Sequence, residues 1–194
     1  MADKVVEKQD ADWLSRLRAG EHQAFAEFVE KYKESVFLCC WTLGLKEDEA
    51  EDVASETFLA AYRGINRYEG RAKLSTWLWR IAYYQGVNYL RKNRRLKMFL
   101  AVPAGQISCS KEDEPAAVVQ EKEKEKIIWE AVEKLPRLWG VVVVLFYREE
   151  KSVKDIAKII KKRQNTVKIY LFRARKELKR IIGQVLGEDI DVGS

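Results

Sequence analysis

Apolar residues recur every three or four positions through most of the chain, and this spacing is typical of amphipathic helices. In the first third it predicts helices over residues 10–19, 21–43 and about 46–65, with Gly20 and Gly44 ending the first two. Runs of alternating apolar and polar residues do not dominate anywhere, so strands are not expected. The fold class predicted from this pattern is all-α.

The stretch from Tyr68 to Arg95 joins a polar loop to a further predicted helix. Ser75 is the predicted N-cap, and the helix begins with aromatic residues and ends in a cluster of Arg and Lys. At about 100° per residue its apolar side chains share one half of the helix, while Arg80, Tyr84 and the last arginines lie on the other. Such a helix either binds nucleic acid or is a surface helix with solvated charges, and this stretch alone leaves both interpretations open.

The second half of the chain is predicted to begin with a linker and a solvated helix. Residues 98–114 lack apolar periodicity and contain Pro, Gly and Ser, whereas residues 115–134 regain an apolar side. Pro136 ends that helix. The very apolar segment 138–146 is predicted as a buried helix rather than a strand, because helices flank it.

Two helical patterns separated by a short polar turn follow, in SVKDIAKIIKKRQNTVKIYLFRARKELKRII. This is the layout of a helix-turn-helix, whose second helix enters the major groove with its N-terminal residues at the base edges. Gln and Asn can pair with adenine and Arg with guanine, and any of them can instead bind phosphate. An ordinary helical hairpin with a solvated basic face is the alternative. The candidate contact residues are Arg163, Gln164, Asn165, Thr166, Lys168, Arg173 and Arg175.

The distribution of charge favours nucleic acid as a ligand. The net charge of the whole chain is only +6, but residues 63–97 hold ten basic residues against one acidic residue, and residues 134–182 hold fifteen against four. The segment 98–133 between these two basic blocks has a net charge of −4. Each block can neutralise several phosphates, whereas a diffuse positive charge would favour only solubility.

The composition gives little support to metal, cofactor or membrane chemistry. The chain has three cysteines, at 39, 40 and 109, and a single histidine, so buried thiols are favoured over a zinc site or a disulfide framework. The acids at 47–52 complement a helix dipole, and Mg²⁺ binding for phosphodiester cleavage is the alternative. Neither a leader nor a membrane-spanning stretch is found, so we expect a cytoplasmic protein without membrane insertion, cofactor or small-molecule substrate.

Six motifs follow one another along the chain: EDVASETFLAAYRGI, YEGRAKLSTWLWRIAYY, LRKNRR, AVEKLPRLWGVVVVLFY, VKDIAKII and NTVKIYLFRARKEL. In this order they resemble the extracytoplasmic-function (ECF) sigma factors of the bacterial sigma-70 family. The resemblance implies two small helical domains joined by a flexible linker at 98–125: region two at 10–97 and region four, with the helix-turn-helix, at 126–183. It also implies a non-enzymatic subunit that binds core RNA polymerase and directs it to specific promoters for transcription initiation.

The resemblance further implies roles for particular residues. Those expected to dock on the coiled coil of the largest polymerase subunit are Asp52, Val53, Glu56, Thr57 and Leu59. Those expected to open the minus-ten element and hold its non-template strand are Tyr68, Arg71, Lys73, Trp77, Arg80, Tyr84, Asn88, Arg91, Arg94 and Arg95. Aromatic and basic side chains suit that task, because an unstacked base can stack on a ring while its backbone is neutralised. Region four is expected to read the minus-thirty-five element and to contact the polymerase flap, and an anti-sigma factor is an expected partner.

Some positions depart from the family pattern. Tyr84 and Asn88 stand where the family usually has Asn and Asp, and Lys161 and Lys162 replace the usual turn Gly and an apolar residue. Because Gly tolerates a left-handed turn, this change weakens the prediction of a tight turn. Commonly polar or basic positions are occupied by Ile169, Tyr170 and Phe172. The alternative function is an autonomous helix-turn-helix regulator, which leaves the acidic face at 52–59 without a role.

Overall fold

The computed structural model describes the backbone of residues 8–93 and 119–186, and the side chains of 13–93 and 126–185. Within these ranges every regular element is a helix, so the predicted all-α fold class is confirmed. The α-helices are α1 (Lys8–Arg18), α2 (His22–Thr42), α3 (Glu47–Gly64), α4 (Leu74–Lys92), α5 (Val119–Glu133), α6 (Arg137–Val143), α7 (Val153–Ile159) and α8 (Gln164–Leu186). A 3-10 turn, Ile65–Arg67, follows α3, and a π-helical turn, Val144–Arg148, follows α6.

Helices α1 to α4 form the first helical unit, with its core between α2, α3 and α4. Phe28, Leu74, Leu78 and Trp79 are almost completely buried there. Helical spacing along α3 and into the turn after it predicts one apolar stripe of Ala50, Val53, Thr57, Ala61 and Ile65, and this stripe faces the core. Burying such large side chains removes apolar surface from water and so stabilises the unit.

Gly20 and Gly44 end α1 and α2 in the same left-handed conformation, with φ of +76° and +72°. Glu21 N donates to Arg16 O at 3.1 Å after the first helix, and Leu45 N donates to the carbonyl oxygen of residue 40 at 3.1 Å after the second. These hydrogen bonds are those of a Schellman motif, and glycine adopts the required φ without steric strain. The two turns place α1 and α3 against α2.

Helices α5 to α8 form the second helical unit, whose core includes Leu135, Leu145, Ile156 and Ile159. The predicted buried helix at 138–146 is confirmed, although it is divided between α6 and the π-helical turn. Most of the predicted linker lies outside the described residues, as does the predicted start of α5.

The turn between α7 and α8 forms although its usual glycine is replaced. Lys161 adopts a φ of +51°, the left-handed conformation that a glycine would take without strain. Lys162 N donates to Ala157 O at 3.0 Å, and Ile160, directly before the turn, is buried. At the start of α7, the Ser152 side chain accepts a hydrogen bond from the backbone nitrogen of residue 155 at 3.1 Å. The two lysines therefore do not prevent a helix-turn-helix.

The predicted N-cap at Ser75 is wrong. Helix α4 begins at Leu74 with Lys73 in the N-cap position, two residues before the predicted N-cap. The Ser75 hydroxyl instead accepts a hydrogen bond from Lys151 Nζ at 2.7 Å. This side chain thus links the two helical units rather than starting the helix.

The two units meet where α7 packs on α4 and α6 packs on α2. Arg137 Nη1 donates to Leu43 O at 2.6 Å, and Ser35 Oγ donates to Glu149 Oε1 at 2.8 Å. Lys151 is only 9% exposed, and its ammonium lies 3.8 Å from Glu149 Oε2. Because a buried charge is costly unless it is paired, these polar contacts fix how the units fit together.

Candidate nucleic-acid and partner interfaces

The outward side of α3 carries acidic and apolar side chains next to each other. Asp52 and Glu56 are exposed, and Leu59 is 42% exposed. Val53 is 3% exposed, and Thr57 is fully buried with its hydroxyl donating to Val53 O at 2.7 Å. These last two side chains pack in the core, and their expected role in docking stays a prediction from the family resemblance. The acidic face available to a partner consists of Asp52, Glu56 and Leu59.

The loop before α4 is folded onto that helix. Tyr68 is only 4% exposed, its hydroxyl donates to Ala72 O, and its ring centre lies 5.2 Å from that of Trp77. Arg71 and Lys73, which were also expected to contact DNA, are exposed. Tyr68 therefore shapes the loop from inside, while the two basic side chains face solvent.

The outward side of α4 forms a shallow groove of about 410 Å³. Its expected contact residues Arg80 and Asn88 are exposed, while Trp77 and Tyr84 are half-buried. Arg91 is exposed one turn further along, and Arg94 and Arg95 lie outside the described residues. The groove is lined by Trp77, Arg80, Ile81, Tyr84, Gln85 and Asn88.

Helix α7 of the second unit covers one end of this surface. A cavity of about 330 Å³ lies between the Tyr68 loop and α4 on one side and Lys158 and Ile159 on the other. Beyond it, the Lys161 ammonium lies 4.5 Å from the centre of the Tyr84 ring. This is a cation–π contact, worth about 0.5–1 kcal/mol at an exposed site. Two residues that depart from the family pattern thus contact each other across the two units, which the sequence did not indicate.

The helix-turn-helix presents a basic surface on α8 and on the turn before it. Of its predicted contact residues, Thr166 is half-buried and the others are exposed. Arg175 is directed back toward the π-helical turn, because its Nε donates to the Tyr147 hydroxyl at 2.6 Å and its guanidinium lies 5.6 Å from the Tyr147 ring centre. The structure therefore separates Arg175 from the remaining candidates, which stay available to a nucleic acid.

The groups that could perform chemistry are buried or dispersed. Burial raises the pKa of Cys40 to about 12 and raises the pKa of Cys39 well above its usual value, so neither is a reactive thiolate at neutral pH. Cys109 lies outside the described residues. Within 13–93 and 126–185, His, Cys, Asp and Glu side chains form no group of three or more that could hold a metal ion. The helices that the structure describes are too short or too polar to cross a membrane.

The described residues thus combine an acidic face on α3, a groove lined by aromatic and polar side chains on α4, and a helix-turn-helix with a basic surface. Residues 28–96 match the family model for sigma-70 region 2, and residues 125–178 match that for sigma-70 region 4. The ECF RNA polymerase sigma factor SigW of Bacillus subtilis is 30% identical over 174 residues, which cover 86% of this chain and 93% of SigW. The RNA polymerase sigma-H factor of Pseudomonas aeruginosa is 27% identical over 191 residues, covering 95% and 99%. The chain belongs to the extracytoplasmic-function sigma factors of the sigma-70 family.

Two solved structures share the fold. CnrH in complex with the cytosolic domain of CnrY superposes with a TM-score of 0.61 at 18% identity, over 89% of this chain and 96% of CnrH. The sigma factor RpoE from Bartonella quintana, in complex with the anti-sigma factor NepR, superposes with a TM-score of 0.58 at 21% identity, over 81% and 96%. Because the sigma factor family is not enzymatic, the alternative of a nuclease that uses the acids at 47–52 is rejected.

Proposed function

We propose that this sigma factor acts in the cytoplasm, binds core RNA polymerase through the acidic face of α3, and directs it to specific promoters. Region two is assigned to 10–97, the linker to 98–125 and region four to 126–183. The observation that carries the proposal is the separation of one acidic face from two basic surfaces in a single chain. An acidic face suits a basic helix of a protein partner, whereas basic surfaces suit phosphates.

The groove on α4 and the loop before it hold the non-template strand of the minus-ten element in this proposal. Trp77 and Tyr84 offer half-buried rings to unstacked bases, while Arg80 and Arg91 are placed beside them for the backbone. Stacking contributes about 1–3 kcal/mol per base, which offsets the few kcal/mol that unstacking costs. Tyr68 supports this surface by holding the loop against α4.

Reading both promoter elements at once requires the two units to separate. The two elements are named for their positions upstream of the transcription start, which differ by about 25 base pairs. This separation is roughly 85 Å along a duplex at about 3.4 Å per pair. In this structure α7 packs on α4, and Lys161 covers the Tyr84 ring. The closed arrangement therefore covers part of the minus-ten surface, and polymerase and promoter select an open arrangement.

An anti-sigma factor is the proposed regulatory partner, and the polymerase flap is the proposed second contact on core polymerase. The complex of RpoE with NepR supports the first, since RpoE shares this fold. A cleft of about 470 Å³ between α2 and the second unit is lined in part by Leu38, Trp41 and Trp129. Its apolar walls suit a helix of such a factor, which would hold the units closed.

Reconstituted transcription tests this function. The full chain is added to core polymerase on genomic DNA fragments, and the transcription start sites are mapped. We expect start sites that depend on this protein and share one minus-ten and one minus-thirty-five sequence. A folded chain that binds DNA but does not bind core polymerase at moderate salt would instead be an autonomous regulator.

The acidic face can be tested with a matched pair of charge reversals on α3. Glu56→Lys should weaken polymerase binding at least about tenfold, because it places a cation in the centre of the face. Glu51→Lys makes the same change of charge at an exposed position beside the face and should have a much smaller effect. Circular dichroism checks that both variants fold. Equal binding by the two variants would remove Glu56 from the interface.

A further inference from the structure

Two apolar side chains stand at the centre of the outward side of α8. Phe172 is 68% exposed and Ile169 is 48% exposed. At about 100° per residue, Asn165, Ile169, Phe172 and Lys176 form a single ridge on the helix, opposite the fully buried Ala174. The ridge lies in the first half of the second helix of the helix-turn-helix, which is the half that enters the major groove in proteins of this kind.

A third apolar residue at a commonly polar position, Tyr170, does not belong to this ridge. Tyr170 is partly buried and packs against the core. Of the three apolar residues at these positions, two therefore remain available to a ligand: Ile169 and Phe172. Side by side on the helix surface, the two side chains form a small exposed apolar patch, and such patches are often binding sites.

The surroundings of the ridge favour DNA as its ligand. Residues 161–176 contain seven Lys or Arg and no Asp or Glu. The centre of a protein interface is usually depleted of charged residues, whereas this apolar pair is set in a strongly basic field. The major groove offers the matching combination, because the thymine C5 methyl group is an apolar contact between two rows of phosphates.

We propose that Ile169 and Phe172 contact the C5 methyl groups of thymines in the minus-thirty-five element, and that this contact makes the element of this sigma factor thymine-containing. The inference rests on the proposed role of α8 in reading that element. Asn165 heads the same ridge, and its amide can pair with adenine in the major groove. One ridge thus reads an A·T pair by a hydrogen bond at adenine and by apolar contact at thymine.

Replacement of thymine by deoxyuridine tests the contact directly. The probe is the promoter found by start-site mapping, with each thymine of the minus-thirty-five element replaced in turn by deoxyuridine, which pairs identically but lacks the methyl group. Binding is measured with the complete complex of core polymerase and this protein. We expect binding to weaken about three- to fourfold at one or two positions, the effect of one buried methyl group.

Variants then assign the effect to the ridge. Each of the variants Phe172→Ala and Ile169→Ala should lose the sensitivity to uracil at one of these positions. The variant should then bind the promoter with thymine there and the promoter with uracil there equally well. Both residues are exposed, so the variants should keep the wild-type circular dichroism and polymerase affinity. Arg173→Ala is the matched control on α8. It should weaken binding and lower its salt dependence by about one charge, but keep the sensitivity to uracil.

Three results would overturn the proposal: no effect of uracil at any thymine, a minus-thirty-five element without thymine, or an effect of uracil that persists in both variants. A loss of polymerase binding by Phe172→Ala in the absence of DNA would also overturn it, because the ridge would then be a protein contact. If the wild-type protein does not start transcription at specific sites, the proposed function itself fails. Failure of the thymine contact alone leaves specific transcription intact.

Discussion

The contact between the two helical units can be tested by adding one methyl group. A Cβ atom at Gly44 would lie 1.5 Å from Arg137 Nη1 and 2.4 Å from Arg137 Cζ. Gly44→Ala therefore expels the guanidinium from its position, and the hydrogen bond from Arg137 to Leu43 O at 2.6 Å is lost. Gly20 is the matched control, because it ends α1 in the same left-handed conformation, and a Cβ there would meet only the Tyr62 hydroxyl at 3.8 Å.

The expected size of the effect follows from two contributions. A left-handed alanine costs about 1–2 kcal/mol in either variant. Loss of a hydrogen bond from a charged donor adds about 1.5–3 kcal/mol, and only in Gly44→Ala. The free energy of unfolding should thus fall by about 1–2 kcal/mol in Gly20→Ala and by about 2.5–5 kcal/mol in Gly44→Ala.

Urea unfolding followed by circular dichroism measures both variants, and a double-mutant cycle with Arg137→Ala isolates the second contribution. In the Arg137→Ala background, Gly44→Ala should cost only as much as Gly20→Ala costs in the wild-type protein. If Gly44→Ala and Gly20→Ala destabilise equally, or if the cost of Gly44→Ala does not change when Arg137 is truncated, the contact between Arg137 and Leu43 does not stabilise the closed arrangement.

Two further predictions concern buried polar groups. Lys151→Met should lower the free energy of unfolding by about 1–3 kcal/mol, because it leaves Glu149 without the buried ammonium. Lys154→Met, at an exposed position, should change it little. Equal urea midpoints for the two variants would contradict this prediction. Burial raises the pKa values of Cys39 and Cys40, so the folded thiols keep their protons while the unfolded thiols ionise. The free energy of unfolding should therefore fall as pH rises above 9, by up to about 1.4 kcal/mol per pH unit for each thiol. Cys40→Ala should make this fall less steep between pH 9 and pH 10. An unchanged slope would show that burial does not keep the Cys40 thiol protonated in this range.

The helices and their packing sides could be predicted from the sequence, because burial on one side of a helix leaves a period of about 3.6 residues. The apolar stripe of α3 had even placed Val53 and Thr57 in the core, and the structure buries both. Their expected role in docking came from the family resemblance. A family motif combines residues that touch a partner with residues that support them, and the resemblance does not separate the two.

Contacts between distant segments could not be predicted. Ser75 has the residue type of an N-cap, but its hydroxyl is used by Lys151, which is 76 positions away in the chain. Lys151 ends a run of four charged residues, and nothing in that run indicates which of them is buried. Burial of a lysine depends on which surface covers it, and periodicity within one helix contains no such information. The contact between Lys161 and Tyr84 was missed for the same reason.

In the proposed function, polymerase and promoter select the open arrangement, and the closed contact would then also set the concentration of polymerase that the protein requires. A ligand that binds only separated units has an apparent dissociation constant equal to its intrinsic value divided by the fraction of open molecules. Each 1.4 kcal/mol of closing free energy therefore raises that constant about tenfold, and about 3 kcal/mol raises it roughly 150-fold. In that case, the side chains between α7 and α4 would determine how much polymerase is needed to open the protein. Their substitution would alter how much of this sigma factor joins a limited pool of polymerase, without changing any residue that touches polymerase.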